Sequence, residues 1–352
     1  MLVVAGLTLK NLNPRVWDPK SPYYIPELRA VMVSYADFRR MPARRKAVME
    51  KGIHASLNIS AEVSVYLDNG SFGLLGTEDT VSRHEREILR KEYEEFVGKG
   101  KPDWCPIPQD FIPTPQMTPD RQRRCFLRTM RVNRDYSHDG YVPVVHVGQF
   151  LTRYLTAMQR HGTLSLKQSI AIGGIVPNLL RAPKAMPYVD ILAGLKRVRD
   201  TFVDRKIHIF GVGGTATLHL AILLGMDSAD SSGWRNRAAR GLVQLPGTGD
   251  RMVADLGSWR GRALTKDELE ALRACPCPAC AQFGLDGLKA RGMDGFCNRA
   301  THNLWVLLTE ARDIESHLSD GSYALWHERH LDNSTYLPLI RLALDQHVSP
   351  LP

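Results

Sequence analysis

Short aliphatic and β-branched runs alternate with longer stretches of helical periodicity along most of this chain. The runs at 30–35, 63–67, 142–147, 169–172 and 206–212 each end in polar or glycine-rich residues, as buried strands bounded by turns do. Stretches with apolar residues three and four positions apart follow them, most clearly at 149–160 and 188–203, and predict amphipathic helices. Residues 1–7 are apolar but lack a basic leader, so they read as a further strand rather than a signal peptide. Alternating strands and helices predict a parallel sheet. The 352 residues suit an α/β fold of the (β/α)8 TIM barrel type with additions. A doubly wound sheet is the alternative. Gly211-Val212-Gly213-Gly214 after a strand is too short a signal for a dinucleotide site.

Other segments break this rhythm. Residues 99–119 are proline-rich and predict a long ordered loop, and residues 328–352 a terminal helix with a loose tail. Residues 242–300 mix Gly, Pro, Arg and cysteines. The expected organisation is therefore a barrel whose main part is 1–241, an inserted zinc-binding subdomain at 242–310, and C-terminal helices with a tail at 311–352. No apolar run reaches the roughly 18 residues of a membrane span. Six cysteines, three of them clustered, predict a metal and a reducing, cytoplasmic setting rather than disulfides. Lys plus Arg outnumber Asp plus Glu by 46 to 37, giving a net charge of +9 that favours polyanionic partners. Arginines cluster within 39–45, 121–131 and 235–240.

The thiols are the sharpest chemical signal. Cys275-Pro-Cys277-Pro-Ala-Cys280 brings three sulfurs within six residues, and His302 follows. Thiolates with one neutral imidazole fill the tetrahedral shell of Zn²⁺, and four protein ligands predict a structural ion. Cys297 is the competing fourth ligand.

Carboxylates and amides also recur at predicted strand ends, where a barrel keeps its chemistry. They are Asp68, Asp110, Gln149 and the pair Asp227 and Asp230, with Gly173-Gly174 closing another strand. Three carboxylate-bearing strand ends at one face could supply a nucleophile, an acid/base and a base-recognition group.

These segments resemble the tRNA-guanine transglycosylase superfamily, over about residues 68–308. Asp68-Asn69-Gly70-Ser71-Phe72 is similar to that family's Asp-Ser-Gly-Gly-Phe, and Gly173-Gly174 to its base-contact loop. Gly225-Met226-Asp227-Ser228-Ala229-Asp230 is similar to its nucleophile segment, and Cys275, Cys277, Cys280 and His302-Asn303-Leu304 to its zinc cluster. The resemblance implies a (β/α)8 barrel with a zinc subdomain, and exchange of guanine in a polynucleotide for a 7-deazaguanine through a covalent aspartyl-glycosyl intermediate. It implies Asp230 as nucleophile and Asp68 as proton carrier. Asp110, Gln149, Gly173 and Gly174, with Ser71 and Phe72, would form the base site. Asp227 in place of Asp230, and Asp103 in place of Asp110, remain open.

Ser231–Gly241 replaces the Pro-Thr-Arg stretch of bacterial tRNA enzymes and is most like the DNA-modifying branch, which inserts 7-cyano-7-deazaguanine (preQ-zero) into DNA. Trp234, Arg235, Arg237 and Arg240 are the expected nucleic-acid contacts, an aromatic face among guanidinium groups. The target nucleotide must leave its stack. No Gly-x-x-x-x-Gly-Lys-Ser/Thr loop is present, so a partner ATPase is expected alongside DNA and the base. A homodimer is compatible with the resemblance. Exchange in tRNA is the alternative reading, and a non-catalytic binding subunit a further one.

Overall fold

The computed structural model describes residues 1–71, 82–109, 112–179, 183–257 and 261–348. Seven parallel strands form one curled sheet: β1 (Leu2–Gly6), β2 (Ala30–Ser34), β3 (Ser64–Asp68), β4 (Val144–His146), β5 (Ser169–Gly173), β6 (Lys206–Ile209) and β7 (Ser228–Ser231). Their order is β3-β2-β1-β7-β6-β5-β4, so β3 and β4 are the two edges. The predicted strands are all present, within a few residues at their ends.

The expected loop at 99–119 contains what joins those edges. Residues 103–107 run parallel to both, through the bridges Tyr66↔Trp104 and Pro106↔Val142. Leu67 N donates to Trp104 O at 2.8 Å, and Ile107 N donates to Val142 O at 3.0 Å. This segment is the eighth stave of a closed (β/α)8 barrel. It escapes a strand pattern because Pro102, Pro106 and Pro108 have no N–H to give to a ladder, so pairing is intermittent.

Strand side chains alternate between two environments. Val3, Ala5, Val31, Val33, Val65, Leu67, Ile170, Ile172, Ile207 and Ile209 pack outward in the main core with the helices. Val4, Ala30 and Met32 face inward against Tyr66, Trp104 and Phe210. The barrel interior also holds His208, whose ring lies 4.8 Å from both Trp104 and Phe210.

After β7 the chain leaves the barrel. Helix Gly233–Ala239 still packs Trp234 and Ala238 into the main core, whereas the hairpin β8 (Leu242–Leu245) with β9 (Gly249–Met252) and helices Lys266–Arg273 and Pro278–Lys289 make a lobe with its own small core around Val243, Leu245, Leu272 and Leu288. Helix Gly292–Ser319 then returns to the barrel, contacting β1 and helix Thr215–Leu223. This 28-residue helix runs through position 310, so lobe and barrel share one rigid element there. Its buried Glu310 accepts from His219 Nε2 at 3.0 Å and from His330 Nε2 at 2.8 Å, fastening helix Tyr323–His330 to the barrel wall. Residues 349–352 of the expected tail lie outside the described residues.

Candidate active site and metal centre

Asp68 and Asp230 lie at the C-terminal mouth, in the C-terminal parts of β3 and β7, with β2 and β1 between those strands. Asp68 is the last residue of β3 and pairs in register with Ser34 of β2. Ser34 Oγ donates to Asp68 Oδ2 at 3.0 Å, and Gly70 N donates to the same oxygen at 3.0 Å. Burial is the largest influence on Asp68 and raises its pKa to about 6; the Ser34 hydrogen bond opposes this, and the nearby charge of Asp230 adds to it. Asp68 thus stays partly protonated near neutrality. The charge that bears on Asp68 here comes from a carboxylate 162 positions away in sequence.

Asp230 sits in β7 opposite Val4. Its Oδ1 accepts from Gly211 N at 2.8 Å and lies 3.5 Å from His208 Nε2. His208 is turned toward it by a 2.9 Å bond between Nδ1 and Ser228 Oγ. Gly213 closes in behind: a Cβ there would fall 1.9 Å from Ser231 Cβ, so only glycine permits this approach. Asp230 also lines an open groove of about 810 Å³ that runs to the lobe past Arg237, Arg240 and Arg262.

The other end of the barrel holds the two rival aspartates. Asp227 precedes β7, accepts from Ile207 N at 2.7 Å and pairs with Arg199. Asp103 opens the eighth stave, accepting from Val65 N at 2.6 Å and from His54 Nε2 at 2.8 Å. Both carboxylates are tied into structural contacts away from the mouth.

The four expected metal ligands converge. His302 Nδ1 lies 3.5 Å from Cys275 Sγ, 3.8 Å from Cys277 Sγ and 3.4 Å from Cys280 Sγ. Tetrahedral zinc with ordinary bond lengths would give a sulfur–nitrogen edge of about 3.6 Å. His302 Nε2 is 2.9 Å from Gln244 O, the outer hydrogen bond that fixes a ligating imidazole. Neighbouring Asn303 accepts from Gln244 N at 2.6 Å and donates to Trp234 O and Leu242 O, both at 3.1 Å. Hydrogen bonds from Cys277 and Cys280 hold the Cys275 thiol well below its usual range. The donor set fits zinc. Cys297, the rival ligand, is buried outside this cluster beside Arg235, and burial raises its pKa to about 11. His219, Glu310 and His330 are also close enough to share an ion, but their direct hydrogen bonds already join them.

Residues 34–335 match the protein family described as queuine tRNA-ribosyltransferase. The chain belongs to this family. Among curated relatives, the tRNA-guanine(15) transglycosylase of Pyrococcus abyssi is 27% identical over 294 residues, covering 83% of this chain and 46% of that protein. The Haloferax volcanii protein of the same name is 28% identical over 290 residues, covering 79% of this chain and 49% of its own. That of Methanopyrus kandleri is 26% identical over 309 residues, covering 86% and 61%. The chain thus spans about half the length of the curated relatives it matches.

Within this queuine tRNA-ribosyltransferase family member, the remaining expected residues fall in distinct places. Gly173 ends β5, and Gly174 follows it in a left-handed conformation with φ of 74°. Gln149 is exposed beyond β4 and lines a cavity of about 140 Å³ with His146, Gly148, Phe150 and Asn178. Ser71 is buried, its N–H bound to Asn69 Oδ1 at 3.0 Å. Phe72 and Asp110 lie outside the described residues.

Two expected nucleic-acid contacts need correction. Trp234 is fully buried, and Arg235 is buried beside it with its guanidinium 5.2 Å from the indole and bound to Asn11 O and Asn13 O. Their polar–aromatic pattern serves packing between barrel and lobe, not base stacking. Arg237 and Arg240 do face the groove, Arg237 being paired with Asp250 at 2.6 Å. Sequence reading missed Ser34, His208, Gln109 and His146. Their only signal was inward register on strands or staves, which requires knowing where each begins.

Proposed function

We propose that the chain is a guanine transglycosylase acting on nucleic acid through a covalent glycosyl–Asp230 intermediate. Asp230 attacks the anomeric carbon of a target guanosine, and the bond to guanine breaks. Asp68, kept partly protonated, gives its proton to the leaving base. Ionised Asp68 then takes a proton from the incoming base, which displaces Asp230 from the same face and restores the carboxylate. Asp110, Gln149, Gly173, Gly174, Ser71 and Phe72 remain the proposed base-site residues. Bound zinc would supply no chemistry at the mouth; Cys275, Cys277, Cys280 and His302 would use it to brace the lobe. The observation that carries the proposal is the pair of inward carboxylates at one barrel mouth in unlike settings, Asp68 held by Ser34 and Gly70 and Asp230 by Gly211 beside His208.

The polymer has two readings. The relatives' names favour tRNA, whose loops present unpaired bases. DNA, with 7-cyano-7-deazaguanine as incoming base and a strand-opening ATPase as partner, rests on the Ser231–Gly241 stretch. The arginine-lined groove suits a single-stranded backbone in either reading. Radiolabelled guanine offered with bulk tRNA and with plasmid DNA separates them. Label in tRNA supports the first reading and label in DNA the second. Label in neither, with cell extract added, overturns the proposal.

A further inference from the structure

His146 ends β4 in the ring of inward-facing residues at the mouth, 2% exposed, and lines the cavity of about 140 Å³. One side of its imidazole is settled. Gln109 Nε2 lies 2.5 Å from His146 Nε2, and an amide NH₂ can only donate, so that ring nitrogen accepts. Burial drives the pKa of His146 down to about 4, against a smaller opposing backbone contact from Gly173. The ring is therefore neutral at physiological pH, and its one proton sits on Nδ1.

That Nδ1 makes no hydrogen bond of ordinary geometry, the Gly173 backbone reaching it only as a weak contact. Orphaned buried donors are rare, because each has given up its water partners without a replacement. The donor lies against the Gly173–Gly174 backbone: a Cβ on Gly173 would come 2.9 Å from Nδ1, and one on Gly174 3.3 Å. A side chain at 173 would displace the ring, and the positive φ of 74° at 174 also favours glycine. Asn178 Nδ2 donates to Gly174 O at 3.1 Å and fixes the loop from its far side. A fixed loop thus lies beside a neutral, oriented donor that no well-formed hydrogen bond in the protein answers. Gln149, the side chain expected to donate here, is instead exposed beyond the strand end.

We propose that His146 Nδ1–H reads the exocyclic carbonyl oxygen of the guanine-type base, sharing that oxygen with the Gly174 N–H. The inference rests on the transglycosylase reading and deepens it. A carbonyl oxygen has two lone pairs and can accept from both donors. A base with hydrogen at that position leaves the imidazole unanswered, and one with an amine there opposes donor to donor. Gln109 acts through the imidazole, fixing its tautomer, and is a positioning residue.

Equilibrium binding of guanine and of 2-aminopurine, which is guanine without the carbonyl oxygen, tests this on the full chain. His146→Ala is expected to weaken guanine binding about 10- to 100-fold and leave 2-aminopurine binding unchanged, as loss of one buried hydrogen bond requires. His146→Asn, whose amide can stand in for Nδ1–H, is expected to recover most of the guanine affinity. Thermal melting checks that both variants fold. Equal loss for both bases, or no loss for either, overturns the inference while leaving the transglycosylase reading intact. Failure of the unaltered chain to bind guanine at all overturns both.

Discussion

The metal cluster and the barrel mouth are both assemblies of polar side chains, yet they are built in opposite ways. The cluster draws its ligands from 28 consecutive positions, 275 to 302, and buries three of the four. Around it the backbone of Gln244 and the Asn303 amide tie the ligands in place, though Gln244 Oε1 and Thr301 Oγ1 stay unpaired. The mouth draws Ser34, Asp68, His146, His208 and Asp230 from separate strands, and it leaves His146 Nδ1 and His208 Nε2 without hydrogen bonds. Satisfied polar networks rigidify a site, whereas the mouth leaves two ring nitrogens open to a partner. The difference teaches where stability and where chemistry reside in this molecule.

Separating the two regions by substitution gives effects of descending size. Asp230→Asn is expected to lower base exchange by at least about three orders of magnitude with little change in melting temperature. Asp227→Asn, at the opposite barrel end, should keep exchange within a few-fold; if it abolished exchange while Asp230→Asn did not, the nucleophile would be misassigned. Cys280→Ser, or prolonged chelation, should remove the metal and lower the melting temperature sharply, read by metal analysis and calorimetry. Asn303→Ala leaves buried backbone groups of Gln244, Trp234 and Leu242 unpaired, at roughly 2–4 kcal/mol of stability in denaturant titration.

Asp68 links the two properties. Its pKa in the folded protein, about 6, lies above the ordinary 3.8. Its contribution to stability is therefore fully present below about pH 4 and lost as pH rises through 6. Asp68→Asn should raise the melting temperature at pH 8 relative to the unaltered chain, with the gain vanishing at pH 4, while slowing exchange about 10²- to 10⁴-fold. The smallest effect belongs to the groove. Arg237→Ala loses a partly exposed ion pair with Asp250, worth under about 1 kcal/mol. It should still reduce the salt dependence of nucleic-acid affinity by about one unit of slope if Arg237 meets a phosphate.

Legibility followed the same division. Cys275, Cys277, Cys280 and His302 could be assigned from spacing because one loop and one helix hold them. Asp68 and Asp230 were legible only as carboxylates at strand ends; their placement at one mouth came from the parallel strand order β3-β2-β1-β7. The eighth stave at 103–107 was hidden by prolines, since strand patterns assume a continuous ladder. Trp234 and Arg235 misled because aromatic–arginine pairs are equally at home inside a protein and on nucleic acid.

The sequence by itself determined the strand–helix alternation, the three-cysteine cluster and the residue types available for chemistry, because each depends on neighbours a few positions away. Tertiary structure alone decided that residues 103–107 close the barrel, that Asp230 rather than Asp227 faces the mouth, that Trp234 is core, and that His146 keeps an unanswered proton beside Gly173 and Gly174. Those outcomes depend on which strand lies beside which and on which end of a strand a residue occupies, and local periodicity carries neither.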